Sequence, residues 1–288
     1  MSDPGSHVPL SIDRIRQACA FGLIGSCLHY VESTDSTNTL AHQLAREGTP
    51  NGTVVLAETQ LKGRGRLGRS WVSPPYRNLS LSVVLRPDIA SSEAPQIGLV
   101  AGLAVTETVR EWGPHAMIKW PNDVLIDGRK LAGILTEMEA AEGRVQFVVI
   151  GIGINLNSKS EDFPPELHHR LTTLCAASGG LVDRDAFAAR LLSHLEQRYE
   201  MLLRDGFATI RPLWEALSCL TGRQVRIEGG TQTCEGVVTG LAADGTLRLR
   251  SLEGQDIRIV AGDVTVVNGY EESSQQSAAS SQEKKAEG

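Results

Sequence analysis

Apolar residues are spaced in two ways along residues 1–219, and each spacing predicts a different kind of element. Apolar side chains at every third or fourth position predict amphipathic helices over 11–20, 40–48, 97–112 and 187–206. Short apolar or alternating runs predict strands over 27–31, 53–57, 78–85, 117–120, 124–126, 130–137 and 145–154. Hairpin signals such as Asp127-Gly128 join neighbouring strands, so we predict an α+β domain with a mixed, largely antiparallel sheet.

The spacing changes near Leu220. Short strands are predicted over 224–227, 234–238, 246–250 and 256–260, with glycine-containing turns between them. Regular short strands with such turns are typical of a small β-barrel. Large apolar residues are absent from 271 onward, which indicates disorder. We therefore predict a main domain over 1–219 with a flexible start at 1–10, a small barrel over 220–270 and a disordered tail over 271–288.

The composition is that of an ordinary globular protein: 288 residues, 41% of them hydrophobic, with a formal net charge of −6. A general nucleic-acid binder shows a basic excess, so the charge argues against that class. No apolar run is long enough to span a bilayer, and the polar start 1–5 is not that of a signal sequence. The five cysteines include no C-x-x-C pair, so we expect small buried thiols in a reducing cytoplasm.

A loop rich in arginine and glycine is the most unusual segment of the chain. Three glycines and three arginines lie within residues 63–69, and Trp71 follows. Glycine allows a backbone to approach a ligand closely, and the forked guanidinium matches phosphate or carboxylate. The indole offers a flat face for a base. This arginine–glycine loop, residues 63–71, indicates a mobile lid over an anion, with a solvated basic loop as the alternative.

The same loop matches the pattern G-x-G-x-x-G, which raises the question of a dinucleotide-binding fold. That fold requires a strand before the glycines and a helix that opens on the last one. The strand at 53–57 satisfies the first condition, but Pro74 and Pro75 prevent a helix from starting after Gly68. No phosphate-binding P-loop motif occurs in the chain either. We therefore place the loop on a different scaffold.

Two polar segments are suited to a small polar head group. Ser36-Thr37-Asn38 precedes a helix, where free N–H groups and hydroxyls can bind a ligand or simply cap the helix. Gln60 carries both a donor and an acceptor, as an amide- or urea-like group requires, although it could equally be a solvated loop residue.

Two further segments are suited to a nucleotide. Lys119 and Lys130 flank Asp123, so the two cations could neutralise phosphate while the carboxylate holds Mg²⁺ or accepts a proton. The alternative is a simple β-turn, because Pro121-Asn122-Asp123 is a favourable turn sequence. The two glycines in 151–153 indicate a bulge or a close backbone approach, and Asn155 could read a base edge.

Taken together, these segments closely resemble biotin–protein ligases. The order and spacing agree over about residues 30–160, through Glu58-Thr59-Gln60, the arginine–glycine loop, Lys119–Asp123, Lys130–Leu135 and Gly151-x-Gly153-x-Asn155. The C-terminal barrel is similar to that family's SH3-like domain. The resemblance implies a catalytic domain of the class II synthetase type that uses ATP and Mg²⁺ to make biotinyl-5′-AMP. The biotinyl group would then pass to a lysine of the biotin carboxyl carrier protein of an acyl-CoA carboxylase.

The resemblance also assigns residues by position. Biotin is expected to contact Ser36, Thr37, Gln60, Gly63, Arg64, Lys130, Gly133 and Leu135. ATP and the adenylate are expected to contact Arg66, Arg69, Trp71, Lys119, Asn122, Asp123 and Asn155. Lys130, Arg66 and Asp123 are the catalytic candidates, and Asp123 is also the candidate Mg²⁺ ligand. Leu67 departs from the pattern, since some relatives carry another arginine there.

Two other functions compete with this interpretation. A lipoate–protein ligase would share the fold and the adenylate chemistry, and a ligand-sensing binding protein would lack the transfer step. Some relatives repress transcription through an N-terminal DNA-binding module, but only about 30 residues precede Glu32 here, so we expect the monofunctional type without operator binding. The expected partners are thus biotin, ATP and the carrier, with no DNA or membrane. Relatives include monomers and dimers formed through the central sheet; of these two states we favour the homodimer.

Overall fold

The structure, a computed structural model, describes residues 8–19, 22–229, 232–267 and 269. Its helices are α1 Ile12–Ala18, α2 Thr37–Arg46, α3 Ala94–Glu111, α4 Leu174–Ser178, α5 Arg184–Asp205 and α6 Phe207–Ala216. The strands of the main domain are β1 Leu28–Thr34, β2 Val54–Gln60, β3 Leu79–Leu85, β4 Ala116–Lys119, β5 Asp123–Ile126, β6 Arg129–Ala141 and β7 Arg144–Ile154. They are followed by β8 Gln224–Gly229, β9 Gln232–Leu241, β10 Leu247–Ser251, β11 Asp256–Ile259 and β12 Asp263–Val266.

The first seven strands form one sheet in the order β1-β2-β3-β7-β6-β5-β4. β1 and β2 are parallel, and every other neighbouring pair is antiparallel. The large apolar core includes α3 and α5 and lies on one face, while a small cluster under α2 lies on the other. Along β7, Val148 belongs to the large core and Val149 to the α2 cluster, because successive side chains point to opposite faces. Residues 151 and 153 therefore lie on the α2 face.

The last five strands form an antiparallel sheet in the order β11-β10-β9-β8-β12. It packs against the main domain: the Trp120 indole N–H donates to the Gly245 carbonyl at 3.3 Å, and the Leu241 N–H donates to Glu215 at 2.7 Å. The predicted α+β class with a small C-terminal β-domain is confirmed. None of the helices in the described residues has the length and apolar content needed to cross a membrane.

The spacing of apolar residues did not predict α4, α6 or β12. Gly206, with φ of 77°, ends α5 and immediately precedes α6, so a position treated as a terminus also starts a helix. Pro212 lies inside α6, where proline is normally unfavourable. The spacing of Phe207, Ile210 and Trp214, all buried, was the available signal for this helix.

The five cysteines are free thiols. Each is partly exposed, so the prediction that they are fully buried is wrong. Three of them, Cys19, Cys219 and Cys234, pack against the large core. Burial raises the pKa of the Cys219 thiol to about 11, which keeps it protonated and a weak nucleophile at neutral pH. Packing is therefore sufficient to explain this cysteine.

A buried ion pair holds the start of the described chain against the main domain. The Arg184 guanidinium donates to both carboxylate oxygens of Glu58, at 2.7 and 3.1 Å, and only 7% and 0% of the two side chains are exposed. Leu10 donates its N–H to Glu58, and Val8 accepts from Arg184 through its carbonyl. Residues 8–10 are thus hydrogen-bonded, whereas the rest of the segment predicted to be flexible, and the tail over 271–288, lie outside the described residues.

Replacing Glu58 by alanine is expected to leave the Arg184 charge buried without a partner. Loss of one member of a buried pair costs about 3–5 kcal/mol, so the free energy of unfolding in urea should fall by that amount for Glu58→Ala. The control Arg204→Ala removes an exposed pair with Asp205 and should leave the urea midpoint unchanged. A similar, small shift in both variants would contradict a stabilising role for the buried pair.

Candidate active site

A cleft of about 650 Å³ opens on the α2 face of the main sheet, between the arginine–glycine loop and the C-terminal sheet. Among the residues predicted for the site, those that line it are Ser36, Thr37, Gln60, Arg64, Arg66, Arg69, Trp71, Lys119, Asn122, Asp123, Lys130, Gly133, Leu135 and Asn155. Gly63 does not line the cleft; its carbonyl accepts from the Trp71 N–H at 2.9 Å and closes the loop into a narrow hairpin.

The floor of the cleft is a strip of sheet without side chains. Gly133 on β6 and Gly153 on β7 are cross-strand partners, and the Trp71 ring lies on both. A Cβ atom at Gly153 would lie 2.5 Å from Trp71 Cε2, and one at Gly133 would lie 3.2 Å from Trp71 Cζ3. A Cβ at Gly151 would overlap the Asn38 amide in the same way. Glycine is therefore required for the close approach that the sequence indicated for this segment.

One end of the cleft presents neutral hydrogen-bonding groups. The Gln60 Oε1 atom accepts from the backbone N–H of Thr37 at 2.9 Å and from its hydroxyl at 3.1 Å, so Gln60 satisfies the first N–H of α2. Ser36, the N-cap residue, makes no capping hydrogen bond through its side chain, which excludes simple capping as its role. The Ser36 hydroxyl and the Gln60 amide nitrogen are thereby left for a polar head group.

The other end of the cleft is cationic. Lys130 Nζ lies 2.6 Å from Asp123 Oδ1 and 5.6 Å from the centre of the Trp71 ring, between a carboxylate and an aromatic face. Burial lowers the pKa of Lys119, and the nearby Asp123 carboxylate opposes that shift. Burial also lowers the pKa of Arg66, whose guanidinium donates to the Asn122 side chain at 3.2 Å. An anion bound here would compensate the cost of burying these charges.

The C-terminal sheet forms one wall of the cleft through residues 262–265 and Glu228. Arg69 in the loop forms an ion pair with Asp263 at the start of β12. At the tip of the loop, Leu67 has φ of 55° and its side chain is exposed, so it contributes nothing to the lining. Asp263 was not predicted, because β12 was not predicted and the contact joins residues far apart in the chain.

The segment 163–171 forms another wall that was not predicted. Phe163, Leu167 and Leu171 line the cleft with His169 and Arg170. The Lys130 N–H donates to the Arg170 carbonyl, and the Thr172 N–H donates to the Lys130 carbonyl, both at 2.9 Å, so this segment fixes the backbone of Lys130. Three apolar side chains between prolines and charged residues were the available sequence signal.

Asn155 is buried at the edge of this wall, and its side-chain acceptor is unused. Its Nδ2 donates to the Thr172 carbonyl at 3.3 Å, whereas its buried Oδ1 accepts no hydrogen bond from the described residues. An unpaired buried acceptor is costly, and a donor on a bound ligand would remove that cost.

Among the described residues, three carboxylates line the cleft; Asp263 is paired with Arg69 and Glu228 lies on the C-terminal sheet, so Asp123 is the candidate for a divalent cation. Its Oδ1 is buried, and although Lys130 Nζ is close, the alignment does not form a hydrogen bond. The described residues contain no cluster of three or more acidic, histidine or cysteine ligands. One carboxylate fits Mg²⁺ in the form in which phosphates of a nucleotide complete the coordination, and does not fit a metal held by protein ligands alone.

A Cβ at Gly153 is expected to displace the Trp71 ring from the floor. The variant Gly153→Ala should shift the Trp71 indole N–H signal in NMR spectra and increase its exposure to an aqueous quencher. The control Gly102→Ala places a Cβ 3.7 Å from Ile118, an ordinary contact inside α3, and should leave the Trp71 signal in place. An unchanged Trp71 signal in Gly153→Ala would show that the ring does not rest on this strip.

Comparison with known proteins agrees with this geometry. Residues 30–155 match the Biotin/lipoate A/B protein ligase family, and residues 220–267 match the Biotin protein ligase C terminal domain. The chain is 41% identical over 246 residues to the bifunctional ligase/repressor BirA of Bacillus spizizenii, which covers 85% of this chain and 76% of that protein. It is 36% identical to the biotin–[acetyl-CoA-carboxylase] ligase of Paracoccus denitrificans, over 78% of this chain and 94% of the relative.

Among solved structures, the biotin protein ligase of Aquifex aeolicus in complex with biotin and ATP superposes with a TM-score of 0.71 at 29% identity. That similarity covers 83% of this chain and 98% of the other. Sequence and fold thus agree over both domains, and the resemblance inferred from the motifs is confirmed. The chain belongs to the biotin/lipoate protein ligase family and, within it, to the biotin–protein ligases.

Proposed function

We propose that this protein activates biotin with ATP and transfers the biotinyl group to a lysine of a biotin carboxyl carrier protein. The observation that carries the proposal is the polarity of the cleft: neutral amide and hydroxyl groups at one end, the Trp71 ring on a glycine floor in the middle, and cations at the other end. A molecule with a urea-like head, an apolar body and a carboxylate tail matches this order. The relatives' names, and a solved structure with biotin and ATP, support the same assignment.

In the first step, the biotin carboxylate attacks the α-phosphorus of ATP, the new bond forms an acyl phosphate, and pyrophosphate leaves. Both reacting groups are anionic, so the barrier is lowered mainly by neutralisation and positioning. Lys130, Lys119 and Arg66 are the cations of the cleft that would supply this neutralisation. Trp71, whose ring lies on the glycine floor, would offer its other face to the apolar part of the substrate or to the adenine, and Asn122 and Asn155 would contact the nucleotide.

In the second step, the amine of a carrier lysine attacks the acyl carbon and AMP leaves. The attacking amine must lose a proton, and Asp123 is the carboxylate placed beside Lys130 to accept or orient it. The adenylate reacts with water, so the arginine–glycine loop is expected to exclude solvent until the carrier docks. Mg²⁺, when bound by Asp123 and the phosphates, would add charge neutralisation to the first step.

The proposal assigns these steps to residues 1–219 and gives residues 220–270 a supporting role at the cleft wall. Asp263 and Glu228, which line the cleft, support that role.

We also propose a homodimer through the main sheet, because the outer edge of β1 pairs with no other strand in the described residues. Sedimentation equilibrium of the full chain at micromolar concentration would give the mass of a dimer or of a single chain.

ATP–pyrophosphate exchange tests the first step directly. With Mg²⁺ and ATP present, exchange is expected with biotin and not with lipoate, octanoate or no acid, because only biotin carries a urea-like head for Gln60 and Ser36. Biotinylation of a purified carrier domain then tests the transfer. Exchange with lipoate or octanoate would keep the assigned fold but show that biotin is the wrong substrate. A folded protein that shows no exchange with any acid would indicate a binding protein.

Lys130 is expected to matter for the rate more than for the structure. Lys130→Ala removes the cation nearest to Asp123, and loss of one preorganised charge that stabilises a transition state costs about 10²–10³ in kcat. The control Lys62→Ala removes an exposed lysine paired with Asp35 outside the cleft, and its exchange rate should equal that of the wild type. Near-normal exchange in a folded Lys130→Ala protein would remove Lys130 from the mechanism.

A further inference from the structure

A glutamate on β6 connects the arginine–glycine loop to the head-group end of the cleft. Glu137 Oε2 accepts from Arg64 Nη2 and from Asn38 Nδ2, both at 2.7 Å. His42 Nε2 lies 4.0 Å from the same oxygen. One carboxylate oxygen therefore joins the loop, α2 and the sheet.

Position along the strand places Glu137 at the end of the cleft away from Lys130. Residues 133, 135 and 137 of β6 share a face, and opposite them on β7 lie residues 153, 151 and 149. The Trp71 ring lies on the first pair, and the Asn38 amide lies on Gly151 in the second. Glu137 follows at a distance of about 13 Å from Gly133, at about 3.3 Å per residue.

From Asn38 the hydrogen bonds continue to the residues proposed for the head group. Asn38 Nδ2 also donates to the Leu135 carbonyl at 3.1 Å, and its Oδ1 lies 2.6 Å from the Ser82 hydroxyl. Ser82 Oγ also lies 2.8 Å from the Thr37 hydroxyl, and the Thr37 backbone N–H donates to Gln60. Asn38, Ser82 and Thr37 are all buried, so water does not compete for these bonds.

We propose that Glu137 is a positioning residue for biotin: it fixes Arg64 at the base of the loop and, through Asn38, the orientation of the Thr37–Gln60 pair. This inference rests on the proposed function. Without the carboxylate, the Arg64 guanidinium would lose its partner at the base of the loop, and the Asn38 amide would lose one acceptor. Because Glu137 lies far from Lys130, its loss should weaken recognition of biotin while leaving the chemistry at the phosphate end intact.

The test compares Glu137→Ala and Glu137→Gln with Glu139→Ala. Glu139 lies on the same strand and pairs with Arg46 at 2.8 Å, so its loss removes the same charge from the same strand without touching the cleft. Glu137→Ala should raise the KM for biotin about tenfold, since two charge-assisted hydrogen bonds are lost. The KM for ATP and kcat should stay within about twofold, as should every parameter of Glu139→Ala. Glu137→Gln keeps an acceptor oxygen, so its KM for biotin should lie between those of the wild type and Glu137→Ala.

A double variant shows whether Glu137 acts through Arg64. If it does, the double variant Arg64→Ala with Glu137→Ala should have a KM for biotin no higher than that of the more severe single variant. Tryptic cleavage within residues 64–69 should also be faster in Glu137→Ala than in Glu139→Ala, because the loop has lost one of its attachments. If Glu137→Ala does not fold, the biotin KM of Glu137→Gln decides the question.

Two outcomes would overturn the inference: a wild-type KM for biotin in the Glu137 variants, or equal changes in both KM values and kcat, which would indicate a general distortion. Failure of the proposed function is separate, because the wild type itself would then show no biotin-dependent exchange. In that case the difference in tryptic cleavage still decides whether Glu137 holds the loop.

Discussion

The cleft depends on a part of the sheet where side chains are absent. Gly133 and Gly153 face each other across β6 and β7, with Gly151 two residues before Gly153. Their missing Cβ atoms allow the Trp71 ring and the Asn38 amide to lie directly on the backbone. An aromatic lid residue and a buried polar network thus rest on the same floor.

The loop that covers this floor is held by side chains from separate parts of the fold. Arg64 contacts Glu137 on β6, Arg66 contacts Asn122 in the β4–β5 turn, and Arg69 contacts Asp263 on β12. Trp71 supplies the apolar attachment. In a free loop the three arginines would repel one another, and each carboxylate or amide removes part of that repulsion. These attachments are partly exposed, so salt should weaken the closed loop more than it weakens the buried core.

Local sequence patterns were sufficient to predict most of the helices and strands, but not the contacts between residues that are distant in the chain. The predicted Asp127-Gly128 turn has φ values of 49° and 71°, the left-handed conformation that such a hairpin requires. Motif order also located several of the segments that line the cleft, although it missed 163–171 and 262–265. The contact of Gln60 with Thr37 and the roles of Ser82 and Glu137 could not be read in this way, because they depend on sheet order and register between distant segments. The local sequence around a single polar residue in an alternating strand does not indicate which side chain it contacts in the fold.

Asp263 belongs to the last strand of the described chain, yet it contacts a loop formed by residues 63–71. During synthesis, every strand of the seven-stranded sheet and its glycine floor has been made once β7 is complete. The attachment of Arg69 must wait for more than a hundred further residues. The floor of the pocket and the residue that fastens its cover are therefore synthesised at different times.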